Sequence, residues 1–139
     1  MVAIGNENHG NSSSPGNAYN PLSVGAVEKV PKRRNTQVAG FSSGASLDFL
    51  GDQKNALVNK PDVVAPGVQV YSCIPPVQRD EGTFEYDYMD GTSMATPHVA
   101  GCAALLMAAK PEAPVVEIIR ALKETAVHPG GAALRPDNR

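Results

Sequence analysis

The 139-residue sequence predicts an α/β layered fold built on a parallel sheet, and three observations predict it. Short apolar segments bounded by turn residues fill the first half. Two helical runs follow in the second half. The strand-like segments are apolar throughout rather than alternating, as strands covered on both faces are.

Taken in order, "VAIGN" reads as a short buried strand ending in a turn. "ENHGNSSSPGNAYNP" is a loop whose Asn, Ser, Gly and Pro compete with regular pairing. "PLSVGAVEKV" is a second strand of small and branched residues, and "PKRRNTQ" a solvated loop or hairpin tip. "VAGFSSGASLDFLGDQKNALVN" mixes turns with short apolar pieces. "KPDVVAPGVQVYSCIP" holds two short strands around Pro66-Gly67, and "PVQRDEGTFEYDYMD" is an exposed, acidic, tyrosine-bearing hairpin or loop. Met94 to about Lys110 is apolar nearly all round, the pattern of a helix buried inside a protein, with Pro97 expected to distort its start. Pro114 suits the first position of a second helix, where Val115, Ile118, Ile119 and Leu122 form one apolar face. Glu117, Arg120, Lys123 and Glu124 are left towards water. "HPGGAALRPDNR" reads as loop.

The length suits one domain with a real core. At 42% apolar and 19% charged residues the composition is that of a soluble globular chain. A formal net charge of −2 with no basic stripe argues against nucleic acid. No apolar run reaches the length of a membrane span, and "MVAIGNENHG" lacks the basic start and apolar core of a secretory signal. Cys73 and Cys102 cannot form a disulfide framework, and buried free thiols are expected.

The chemistry concentrates in "GTSMATPHVAG", Gly91 to Gly101. A serine hydroxyl needs an adjacent base and a place for the oxyanion before it is a useful nucleophile. Ser93 falls where a helix begins, and free N–H groups and the positive dipole end favour developing negative charge there. Gly91 permits a sharp approach, and Ala95 leaves room for a substrate carbonyl. Taken alone, "TS" is also what an ordinary helix cap looks like.

The full string resembles the nucleophile motif of the subtilisin-like serine proteases (subtilases), G-T-S-M-A-x-P-H-V-A-G. "AIGNENHG" is similar to the family's oxyanion segment, which makes Asn6 the side-chain donor, with the Ser93 backbone N–H as the second. "NPLSVGAVEK", "FSS" at Phe41–Ser43 and "KPDVVAPGVQV" match further family segments in order, from about residue 2 to residue 125. The resemblance implies a three-layer, parallel-sheet subtilisin-like fold present only as its C-terminal part, truncated at both ends over residues 1–139. It implies peptide-bond hydrolysis through an acyl-enzyme. Substrate contacts fall on Ala3, Ile4 and Gly5, with the Ser13–Gly16 region shaping the pocket for the side chain before the cut. Structural calcium and secretion are family habits, although no spacing here identifies a calcium site.

The base is harder to find. His98 lies five residues beyond Ser93, about 140° round a helix and roughly 7.5 Å along it, so a packed structural role is expected. His9 follows Asn6 in the loop, at a position from which the family takes no catalytic residue, and nothing places His128. The family's H-G-T-H and D-T/S-G motifs precede the oxyanion segment and have no counterpart here, and Asp48, Asp62 and Asp80 sit in other contexts. The isolated chain is therefore expected to be inactive, its partners being a peptide substrate, a missing N-terminal subtilase segment and further copies of itself. The alternative is a non-catalytic, degenerate subtilase module that binds peptides or partners.

Overall fold

A computed structural model of the chain describes residues 1–8, 13–29, 36–47, 58–79 and 82–129. His9, Asp48 and Asp80 lie outside the described residues. The central sheet contains β1 (Val2–Ala3), β2 (Ser23–Lys29), β3 (Thr36–Val38) and β6 (Val63–Pro66). β2 is its axis. β1 runs parallel to the first part of β2 and β6 runs parallel along Val24–Val27, whereas β3 returns antiparallel against Val27–Lys29. Two smaller antiparallel pairs join β4 (Ala45–Leu47) to β5 (Val58–Lys60), and β7 (Val70–Arg79) to β8 (Gly82–Met89). The helices are α1 (Thr92–Ala109) and α2 (Val115–Glu124).

The parallel pairing of β1, β2 and β6 agrees with their small, branched, non-alternating composition. Val24, Ala26, Val63 and Ala65 meet Ala95 and Val99 of α1, and Leu22 and Ala39 complete the buried cluster. Ile119 and Leu122 of α2 pack onto its margin. On the opposite face, Gly25 lies under Pro61 and Ser42, with a Cβ there only 2.8 Å from the proline ring.

Several elements differ from the sequence expectation. α1 starts at Thr92 rather than Met94 and runs unbroken through Pro97, which removes a single helix hydrogen bond, the one its own N–H would have given to the Ser93 carbonyl. Thr96 Oγ1 donates to the Thr92 carbonyl at 2.8 Å, and His98 Nδ1 meets the Met94 carbonyl at 2.9 Å. α1 is buried along one stripe only, Thr92, Ala95, Val99 and Ala103, and Leu105 is 73% exposed. His98 is consequently hydrogen-bonded but exposed rather than packed, and Cys73 and Cys102 are exposed thiols, not buried ones. Pro114 is the N-cap of α2, one position before the first helical residue. Ile118 is its buried residue and Val115 stays exposed. Among the described residues, no helix is long and apolar enough to cross a membrane.

A buried polar knot ties the sheet to α2. Lys60 Nζ donates to the Pro21 carbonyl at 2.9 Å and to Asp62 at 2.7 Å, with its side chain 2% exposed. Asp62 also accepts from the backbone N–H and hydroxyl of Ser23 and from Lys123. Burial pushes the Asp62 carboxyl up, but the hydrogen bonds from Lys123, Lys60 and Ser23 and the Lys60 charge outweigh it and hold it at about 2.

Candidate active site

The site forms where the end of β1 meets the start of α1. β6 leads into Gly67, which is pressed so close to β2 and to the start of α1 that a Cβ there would lie 2.6 Å from Ala26 Cβ and 2.7 Å from the Gly91 carbonyl. Gly67 in turn accepts a hydrogen bond from Gly91 N–H at 2.8 Å, fixing the turn that delivers the helix. Gly91 takes φ 153°, ψ 158°, backbone territory that is nearly glycine's alone. The glycine that the sequence marks as a sharp approach is therefore required by conformation.

α1 has no cap from its own preceding residue. Asn6 supplies one from 86 positions away, its Oδ1 accepting from Thr92 N–H and from Thr92 Oγ1, both at 2.9 Å. Thr92 Oγ1 also accepts from Gly5 N–H at 3.3 Å, and the residue is 1% exposed. With its oxygen held, the Asn6 amide turns Nδ2 towards the helix start. A point at the Cβ position of Gly91 lies 3.4 Å from Asn6 Nδ2 and 3.7 Å from Ser93 N. Ser93 itself is exposed, and its backbone N–H is one of the first-turn groups with no carbonyl partner inside a helix.

The other side of the Asn6 segment is held by the Phe41–Ser43 turn. Ser43 N–H donates to the Gly5 carbonyl at 3.0 Å, Ser43 Oγ accepts from Glu7 N–H at 2.9 Å, and Asn8 N–H donates to the Phe41 carbonyl at 3.0 Å. Ser42, fully buried, accepts from Ala26 N–H at 3.0 Å and anchors the turn to β2. Thr92 and Ser43 thus grip one short segment from two directions. Sequence reasoning assigned neither a role: "TS" showed a possible cap and "FSS" a turn, and the signal lay in their three-dimensional convergence.

The remaining sequence candidates fall close by. Ala3 and Gly5 are half-buried and Ile4 fully buried, its N–H on the Val24 carbonyl at 3.0 Å. Ser13 is half-buried with Oγ against Gly5, 3.0 Å from where a Cβ would stand. Gly16 packs against the backbone of Ala3 and Ile4, so these segments share one wall. Beyond Ser93, an open cavity of about 350 Å³ is lined by Val70, Tyr71, Met89, Met94 and His98 among others. His98 borders this cavity but spends Nδ1 on the Met94 carbonyl, which can only accept, so Nδ1 carries the ring proton. His128 lines a different cavity, beside Pro61 and Val127. Among the described residues no cluster of three or more His, Cys, Asp or Glu could hold a metal ion.

This arrangement can be set beside known proteins. The subtilase family profile (Peptidase_S8) matches residues 1–138. Subtilisin Savinase of Lederbergia lenta is 38% identical over 135 residues, covering 96% of this chain and 40% of the relative. The minor extracellular protease Vpr of Bacillus subtilis (strain 168) is 41% identical over 98 residues, 70% of this chain and 11% of its own. Among solved structures, S41 psychrophilic protease superposes with a TM-score of 0.69 at 34% identity, over 91% of this chain and 39% of that one. Sphericase gives 0.67 at 32% identity. The chain spans no more than 40% of the length of these curated relatives. With the family profile, the relatives and the fold in agreement, this chain belongs to the subtilase family and has a subtilisin-like α/β fold.

Proposed function

We propose that the chain supplies the nucleophile and the oxyanion contacts of a serine endopeptidase. Ser93 Oγ attacks the scissile carbonyl carbon while its proton passes to an imidazole. That imidazole, with its orienting carboxylate, comes from polypeptide other than these 139 residues. The oxyanion is received by Asn6 Nδ2–H and Ser93 N–H. Collapse of the tetrahedral intermediate expels the amine, which takes the proton, and water then releases the acyl group. Val2 to Gly5 and Ser13–Gly16 flank the part of the substrate before the cut. The likeness to the minor extracellular protease Vpr supports a reading in which this activity lies outside the cell.

One observation carries the reading: Asn6 Oδ1 is occupied by both Thr92 donors at 2.9 Å, while Asn6 Nδ2 and Ser93 N lie 3.4 and 3.7 Å from one point, the Cβ position of Gly91. Preorganised donors of this sort need no reorientation as charge develops.

A fluorophosphonate probe tests the assignment. The 139-residue chain alone is expected to remain unlabelled, since the family's histidine and aspartate motifs have no counterpart in its sequence. Joined to a subtilase segment carrying the missing histidine and aspartate, it is expected to label stoichiometrically and to lose labelling on Ser93→Ala. Labelling that survives Ser93→Ala would sink the assignment. In the joined protein, Asn6→Ala is expected to lower kcat by about 10²–10³, a range measured on a subtilisin and carried over from the family rather than worked out from this geometry.

A further inference from the structure

The β7–β8 hairpin carries a surface that the reaction above does not use. Alternation along β8 puts Phe84, Tyr86 and Tyr88 on one face, and register sets Tyr71 opposite Tyr88 and Cys73 opposite Tyr86. The Tyr71 ring lies between the other two, its centroid 4.9 Å from that of Tyr88 and 5.8 Å from that of Tyr86. All three are more than half exposed, at 61%, 54% and 60% for Tyr71, Tyr86 and Tyr88. Rings this exposed add little to folding. Tyr71 also lines the cavity that opens at Ser93, so the aromatic strip and the nucleophile share one continuous surface.

Beside the rings the charge is negative, Arg79 standing at the far end of β7. From Gly82 to Ala109 the sequence holds three carboxylates, Glu85, Asp87 and Asp90, and no lysine or arginine. Two of them are fixed close to the strip: Asp87 accepts from Tyr88 N–H at 2.8 Å, and Asp90 accepts from Gln69 N–H at 2.6 Å. A two-stranded ribbon is thin against a screening length of about 8 Å, so carboxylates on its other face still act at the rings. Aromatic faces within a negative field attract ammonium and guanidinium groups.

We propose that the Tyr71–Tyr86–Tyr88 face is an extension of the Ser93 groove that binds lysine or arginine side chains of the polypeptide substrate. The name of the ligand rests on the peptidase reading, but the binding itself does not require turnover. A fluorescently labelled, blocked tri-lysine peptide and its tri-glutamate counterpart are titrated against the 139-residue chain and followed by anisotropy. The tri-lysine peptide is expected to bind more tightly than tri-glutamate and to weaken as salt is raised. A Tyr71→Ser, Tyr88→Ser double variant is expected to bind tri-lysine about three- to tenfold more weakly, the loss of two ring contacts. Glu85→Gln, which leaves the rings intact, is expected to weaken it about twofold. Tyr19→Ser, an exposed tyrosine remote from the hairpin in sequence, is expected to change nothing. Equal binding of the two peptides, or undiminished tri-lysine binding in the tyrosine variant, would overturn the proposal. Failure of the peptidase reading shows separately, as Ser93-independent labelling in the joined protein.

Discussion

Thr92 offers the sharpest test of how the site is held. Thr92→Val keeps the shape of the side chain and removes only the hydroxyl, so packing around a 1% exposed residue is preserved. Two hydrogen bonds disappear: the one donated to Asn6 Oδ1 at 2.9 Å and the one accepted from Gly5 N–H at 3.3 Å. Asn6 Oδ1 keeps the Thr92 N–H, so the deficit there is a single net hydrogen bond of about 1 kcal/mol. Gly5 N–H loses its acceptor in a half-buried place, at a cost of about 1–2 kcal/mol. The variant is expected to be less stable by about 2–3 kcal/mol, read from urea unfolding followed by circular dichroism. Thr92→Ser retains both bonds and loses one methyl, so it is expected to cost about 1 kcal/mol. If Thr92→Val unfolds the chain outright, the serine variant still separates hydroxyl from shape. A valine variant within about 0.5 kcal/mol of the parent, or one more stable than the serine variant, would refute the hub role.

Three further outcomes follow from the same geometry. Ser43→Ala removes the acceptor of Glu7 N–H and is expected to cost about 1 kcal/mol by urea unfolding, with a loss below about 0.3 kcal/mol counting against the two-sided grip on Asn6. Asp62 is held at about 2 against an ordinary 3.8, so its contribution is fully present above pH 3.8 and is lost as the pH falls from there towards 2. That contribution is at most about 2 kcal/mol, because Lys123 is half exposed and its part is screened; stability that stays flat from pH 5 to pH 2 would contradict it. The chain by itself is expected to self-associate, since Leu105, Met107, Val115 and Val116 are all more than half exposed and β1 pairs on one edge only among the described residues. Light scattering from a monodisperse monomer at high concentration would argue against it.

Much of the fold could be read directly from the sequence because the deciding signals are local. The apolar runs of β2 and β6, the acidic tyrosine hairpin and the spacing of Ile118, Ile119 and Leu122 each report on the residues that carry them. Ser93 and Asn6 could be picked out for a different reason, as members of strings that resemble a family. What holds them together left no mark on the sequence. Thr92 looked like a cap for its own helix, yet its hydroxyl serves Asn6 and Gly5, and the cap of α1 comes from Asn6. Ser43 looked like turn punctuation, yet it reaches 36 positions back to Glu7. Such roles depend on convergence between distant segments, which no periodicity encodes.

The mismatch at α1 points the same way. A helix apolar on every side signals burial on every side, yet only the stripe through Thr92, Ala95, Val99 and Ala103 is covered. Cys102 and Leu105, which composition consigns to a core, face outwards. Fully burying one leucine is worth about 1.5–3 kcal/mol, so an uncovered flank of this kind forgoes several such contributions at once. The apolar surface of α1 therefore extends well beyond the stripe that the described residues cover. The same helix carries Ser93 at its N-terminus, and the chemistry proposed for Ser93 needs an imidazole from other polypeptide. In the reading proposed above, a segment that covered the apolar flank of α1 would be positioned by the same helix that presents Ser93, which would tie completion of the core to completion of the site.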